Sequence, residues 1–338
     1  SNKENIMNKL TKIGVSALCG SLAAVSAANA GSMSVSGGAN ATWTKLGYGV
    51  TGNPIGMATN LTFSGSGELD NGGTVALSIA HDDQNTYSAS SIAYTLPGFG
   101  VFTLDQGGGT GLDRLDDKMP TAWEETDGTG VAAGMVTVTG AGGGTDIEWA
   151  VDSTFLPDGM TAYVSYAPRA DGSKPNDKAS GGDTGSLNDN AWDLVIEHSG
   201  LTDGLNVFAG VSEKQGVTLE DKSSYAVGAT YATGGFTLGY QYSKDGHHGV
   251  TNHYENHAYG VSFSVNDNLS ISYGRHESER NASGGTNKTT LEAESIQAAY
   301  SMGGATLKIA DTSVDHAAYD TSTASDREGT TVMLSLAF

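Results

Sequence analysis

The fold class that this 338-residue sequence predicts is all-β: a transmembrane antiparallel barrel of about sixteen strands, an even number as such barrels have. Three observations lead there. Apolar and small polar residues alternate with a period of two along the chain from residue 31 onward. Tight turns alternate with longer polar loops. The face opposite the apolar one is built from Ser, Thr, Gly, Ala, Asn and Gln, which cannot fill a large dry core.

Composition removes the other classes. Glycine supplies 48 residues and proline 6, without the every-third-residue glycine of a collagen. Lys+Arg number 17 against 38 Asp+Glu, a formal charge of -21, so nucleic acid is repelled and not expected as a partner. A single cysteine excludes a disulfide scaffold. Residues 31–338 hold no apolar run long enough for a membrane-spanning helix.

The chain opens with an address. Residues 1–6 read as upstream residues. Met7-Asn8-Lys9 and Lys12 form a basic start, Ile13 to Val25 is apolar or small, and Ala28-Asn29-Ala30 resembles a cleavage site. Residues 7–30 are therefore expected to be a cleaved export signal, and 31–338 the barrel. Cys19 sits in the apolar stretch after Leu18, where a lipid-anchor signal needs a small residue.

Strands follow at short intervals. Val75, Leu77 and Ile79 alternate with Thr74, Ala76, Ser78 and Ala80. Phe236, Leu238, Tyr240 and Tyr242 do the same, as do Tyr259 to Val265, Leu269 to Tyr273, and Val332 to Phe338. Seven short turns join them, at Asp70-Asn71-Gly72-Gly73, Pro97-Gly98-Phe99-Gly100, Pro157-Asp158-Gly159, Thr202-Asp203-Gly204, Thr233-Gly234-Gly235, Asn266-Asp267-Asn268 and Gly303-Gly304. Asn, Asp and Gly accept the positive φ of tight turns. Eight longer polar loops are expected near 44–56, 82–87, 108–145, 169–190, 214–222, 245–255, 278–291 and 314–328. The apolar face carries Tyr166, Trp192, Tyr225, Tyr231, Tyr240, Tyr242, Tyr259, Tyr273 and Tyr300, mostly near strand ends, where membrane-interface aromatics belong. A soluble sandwich would bury this face; a barrel in lipid turns it outward and closes every backbone hydrogen bond.

The ordered set of signal, turns, loops and the terminal Thr330-Thr331-Val332-Met333-Leu334-Ser335-Leu336-Ala337-Phe338 resembles a general outer-membrane porin of Gram-negative bacteria. Phe338 at the end of an alternating run resembles the outer-membrane insertion signal, and Phe63 to Gly72 resembles the second strand and first turn of the alphaproteobacterial type. The resemblance implies passive diffusion of ions and small hydrophilic solutes, with no enzymatic step. It implies a homotrimer in the outer membrane, with the lipid bilayer, lipopolysaccharide and the barrel assembly machinery as partners. Val35 to Ala41 and Ser88 to Ser91 could suit subunit packing.

In that family the loop after strand 5 folds inward and narrows the pore. Here the loop at 108–145 holds Asp113, Asp116, Asp117, Glu124, Glu125 and Asp127 against Arg114 and Lys118. Gathered in a passage, such carboxylates attract cations. Strand parity adds Glu148, Asp152, Asp193 and Glu197 as inward acids and Lys308 as an inward base. From Gly31 to Asp113 the only base is Lys45, so the expected preference is for cations. No cofactor is expected, although loop acids could take Ca2+, and Gly108 to Asp116 fits one copy of a calcium nonapeptide. His247, His248, His253 and His257 crowd the sixth loop without metal-ligand spacing. A substrate-specific channel, which would show an aromatic track where only Tyr163 faces inward, and a secreted Gly-rich adhesion protein, which would show a regular repeat, are the alternatives. A barrel enzyme is a third, but no nucleophile, base and orienting group stand out.

Overall fold

The computed structural model describes residues 32–49, 52–83, 89–106, 108–141, 145–170, 188–216, 221–247, 252–282 and 288–338. The expected leader, Ser88 and His248 lie outside the described residues. The strands are β1 (Ser32–Leu46), β2 (Ile55–Glu68), β3 (Thr74–Asp82), β4 (Ala89–Leu96), β5 (Gly100–Asp105), β6 (Asp146–Val151), β7 (Met160–Ala167) and β8 (Asn188–His198). They continue as β9 (Leu205–Gly216), β10 (Lys222–Thr233), β11 (Phe236–His247), β12 (Asn252–Ser264), β13 (Leu269–Ala282), β14 (Lys288–Met302), β15 (Ala305–Asp315) and β16 (Arg327–Ala337).

Each strand pairs antiparallel with its sequence neighbours, and β1 pairs with β16, so the sheet closes as a barrel without edges. Closure satisfies the backbone where lipid offers no hydrogen bond. The register fixes the two faces. Val227 stands beside Tyr242, and Leu238 beside Val261, all on the outer surface. Ile296 is 66% exposed and Met57 78%, exposure that marks the outer wall as a face turned away from water. The opposite face carries Ser224, Ser243, Asn256, Ser278 and Ser295 and turns inward. Outer aromatics meet across strands: Phe102 stacks on Trp149 at 5.9 Å, and Phe236 on Phe263 at 4.3 Å.

Three expected loops are shorter than their composition suggests. The strands run on to Gly216, His247 and Ala282, and β14 begins at Lys288. For the second and third, charge pairs on the outer face near the long-loop end join the strands. Arg275 bonds Glu277, Glu292 and Glu294 at 2.7, 2.9 and 2.8 Å, Lys244 bonds Glu255 at 3.0 Å, and Lys288 bonds Glu279 at 2.6 Å. These polar stretches read as loop but alternate faithfully. A 15-residue strand such as β14 is about 50 Å long, and tilted by ~40° it rises ~38 Å against an apolar band of ~25 Å. The charged network occupies the excess length beyond the tyrosines. His257 also lies on this outer face, its Nδ1 sharing a hydrogen bond of 2.9 Å with the Tyr240 hydroxyl.

Candidate functional site

The segment between β5 and β6 lies inside the barrel. Gly108, Gly109 and Gly111 have positive φ and turn the chain inward into a short 3-10 turn at Gly111–Leu115. Leu112 and Leu115, both fully buried, pack with Met119, Val138, Val195, Phe208 and Ala226. A Cβ on Gly210 of β9 would stand 2.7 Å from a Leu112 methyl, so the wall is hollowed where the loop seats.

One carboxylate fastens both ends of the loop. Asp193 of β8 has no exposed surface, and its Oδ2 accepts from Leu112 N–H at 2.7 Å and from Ala141 N–H at 2.8 Å. Gly140, at φ +55, passes so close that a Cβ would lie 2.2 Å from that oxygen. Beside it, Glu148 Oε2 accepts from Gly111 N–H at 2.8 Å, and Glu148 also pairs with Arg114. Thr110 Oγ1 donates to Asp146 Oδ1 at 2.9 Å.

From there the loop travels along the wall. Lys118 bonds Glu197 at 2.8 Å, and Pro120 packs against the glycines Gly239 and Gly260. Ala122 N–H donates to Ser272 Oγ at 2.8 Å. Gln297 accepts from Trp123 and Glu124 N–H, both at 3.1 Å, and donates to Glu124 O at 2.7 Å. Thr129 meets Thr312 at 2.6 Å, and Arg327 donates to Ala132 O. The return runs past Tyr319, whose hydroxyl accepts from Val136 N–H at 3.0 Å, and past Lys214, which donates to Thr139 at 3.3 Å. At the loop's start, Gln106 N–H donates to Ser90 O of β4 at 3.0 Å, and Ser90 Oγ donates to Gln106 Oε1 at 3.3 Å.

The expected site residues divide into groups. Glu148 and Asp193 face inward and are buried under the loop, acting as its anchors. Glu197 is tied to Lys118, and the Arg114 guanidinium lies 3.8 Å from the centre of the Tyr163 ring. Lys308 faces inward beside Trp123, 6.0 Å from its ring centre. Asp152 is a correction: it lies past the end of β6 in a short turn, where its carboxylate accepts from Thr154 N–H at 2.9 Å. Parity carried one residue too far places a turn cap on a wall. Lys45 pairs with Thr330 on the same face as Trp43, so it points outward.

Asp113, Asp116, Asp117, Glu124, Glu125 and Asp127 form one acidic stretch of the loop. Burial, and then the neighbouring Asp117, raise the Asp116 carboxyl to about 7. Burial raises Asp113, opposed by the Gly109 N–H at 2.7 Å. Burial followed by Asp127 raises Asp117, and burial raises Glu124. Glu125 is pushed well above the carboxylate range by burial and by Asp117 and Asp127. Sequence reasoning missed Asp146, Lys214, Gln241, Asn256, Gln297 and Tyr319. For the strand residues the signal is inward parity, shared with every second residue, and Tyr319, in the short turn after β15, has none.

Among known proteins, a family model described as Gram-negative porin matches residues 14–335. No curated protein matches the sequence. Solved structures share the fold. Salmonella typhi OmpF, in complex with daunomycin, superposes with a TM-score of 0.68 at 15% identity, over 90% of this chain and 97% of that one. OmpT of Vibrio cholerae gives 0.67 at 11%, over 94% and 100%. An anion-selective porin from Comamonas acidovorans gives 0.65 at 13%, over 91% and 100%.

Proposed function

This chain belongs to the Gram-negative porin family, and from that premise we propose that it is a cation-preferring diffusion channel for ions and small hydrophilic solutes. Its place in the outer membrane and its role as a diffusion channel follow from family and fold. The ion preference rests on one observation. The acidic loop faces a wall, β1–β5, whose inward side carries no base among the described residues. Ser36, Asn40, Thr42, Asn60, Thr62, Ser64 and Ser78 supply that side with neutral dipoles. A field of one sign enriches cations in the passage and depletes anions.

No bond is made or broken in this reading. Ser272 and Ser278 share the inward face of β13 with His276, and both serve packing: Ser272 accepts the Ala122 N–H, and Ser278 shares a hydrogen bond of 2.6 Å with the Tyr319 hydroxyl. A homotrimer is part of the proposal. The apolar outer residues Val35, Met57, Leu61, Ile92 and Leu104 give β1–β5 a face that a second and third copy can cover.

Planar-bilayer recording of the purified protein under a KCl gradient tests it. The expected result is conductance arriving in groups of three, with a reversal potential on the potassium side. A chloride-side potential overturns the charge reading, and solitary steps overturn the trimer.

A further inference from the structure

Where the loop crosses β13, three side chains converge without bonding. His276 Nε2 stands 3.7 Å from Glu125 Oε2, and His276 Nδ1 stands 3.8 Å from Asp127 Oδ1. Both distances exceed a hydrogen bond. One potential ligand atom from each of Glu125, Asp127 and His276 lies within 4.8 Å of the others. Ligands sharing one ion at ~2.1 Å each stand ~3–4 Å apart, so a small contraction would close the set.

A second observation comes from the wall. A cavity of about 20 Å³ is lined by Asp116, Glu125, Thr137, Gln241, Asn256 and His276. Gln241 is 5% exposed and Asn256 7%, and among the described residues neither amide oxygen has a hydrogen-bond partner. The Asn256 amide nitrogen is occupied, donating to Val136 O at 3.1 Å, which leaves its oxygen as the spare group. Two buried acceptors without donors, beside two carboxylates and an imidazole, are a poor arrangement for a dry site and a fitting one for a cation. Mostly oxygen donors with one nitrogen suit a hard to borderline divalent ion.

We propose that Glu125, Asp127 and His276 bind one divalent cation of the Mn2+ type, with the Gln241 and Asn256 amide oxygens as further donors, joining the tip of the inward loop to β13. The site is independent of the ion preference proposed above, because it concerns a held ion and not a passing one. It would also relieve the repulsion between Glu125 and Asp127 that burial intensifies.

The test is a Mn2+ titration of chelator-treated, detergent-folded barrels, followed by electron paramagnetic resonance of free and bound ion. The expected result is one Mn2+ per chain. Affinity should fall in both His276→Gln and Glu125→Gln by more than the roughly 10- to 100-fold that loss of an outer-sphere contact costs. Glu292→Gln, altered on the outer face of the neighbouring strand β14, should leave it unchanged. Heat-modifiability on gels confirms that each variant is folded. Folded wild-type barrels that retain no Mn2+ overturn the proposal, as does binding indifferent to both His276→Gln and Glu125→Gln.

Discussion

Replacing Asp193 by alanine should release the inward loop from the wall while leaving the barrel intact. The carboxylate accepts two backbone N–H groups 29 residues apart in sequence, from Leu112 and Ala141, and it is fully buried. Each donor left unsatisfied costs about 1–3 kcal/mol, so the loop's docking should weaken by roughly 2–6 kcal/mol. The strand ladders do not depend on this side chain, and heat-modifiability should persist. Single-channel traces should show higher conductance and strong open-channel noise, and protease should cut between Lys118 and Ala141 far faster. Asp193→Asn keeps an oxygen at the same place without its charge and should fall between the two. Quiet wild-type channels in Asp193→Ala would show that Leu112, Leu115 and the wall contacts beyond them suffice.

The second large effect concerns ion preference. Asp113→Asn, Asp116→Asn and Asp117→Asn together remove three carboxylates from the loop. At about 8 Å in water one charge is worth ~0.5 kcal/mol, roughly twofold in local ion concentration, so the three should lower cation preference severalfold. Acidification should do the same to the wild type. Burial places the Asp116 carboxyl at about 7, with Asp113 and Asp117 raised in the same direction. Lowering the pH from 8 to 5 therefore protonates Asp116 and shifts the reversal potential toward the anion side. Stability has the opposite sense. Because the folded state binds these protons more tightly than the unfolded chain, the contribution is greatest in acid. It is lost as pH rises from the ordinary aspartate value of 3.8 through about 7, so loop proteolysis should accelerate across that window. A reversal potential that is flat from pH 5 to 8, in wild type and triple variant alike, would move the selectivity elsewhere.

Period-two alternation was enough to place nearly every strand, because one buried or lipid-facing side makes a one-residue slip costly. Thr74 to Ala80 and Phe236 to Tyr242 could be read directly. The upper ends of β13 and β14 could not, because Arg275, Glu277, Glu292 and Glu294 look like loop until their cross-strand pairing is seen. Parity also gave Asp193 and Glu148 a direction but not a role. Whether an inward acid meets water or a folded-in loop depends on chain from another part of the sequence. Asp152 shows the limit at strand ends, where a helical or extended turn breaks the alternation. Gln241 and Asn256 carried no signal at all, since an amide facing a polar lumen is ordinary until a loop covers it.

The loop's route has a consequence for the order of assembly. Its base is held by β8, yet its middle is seated on β13, β14, β15 and β16 through Ser272, Gln297, Thr312 and Arg327. Those strands come last in the chain, and contacts between such distant segments form only after the intervening chain has been brought together. The seat of the loop is therefore completed late, once the last strands are in place, and an incompletely closed sheet holds an acidic segment that lacks these partners. Trp123, set between Gln297 and Lys308, sits at that final contact, so its fluorescence should change after β-sheet formation is complete and not with it.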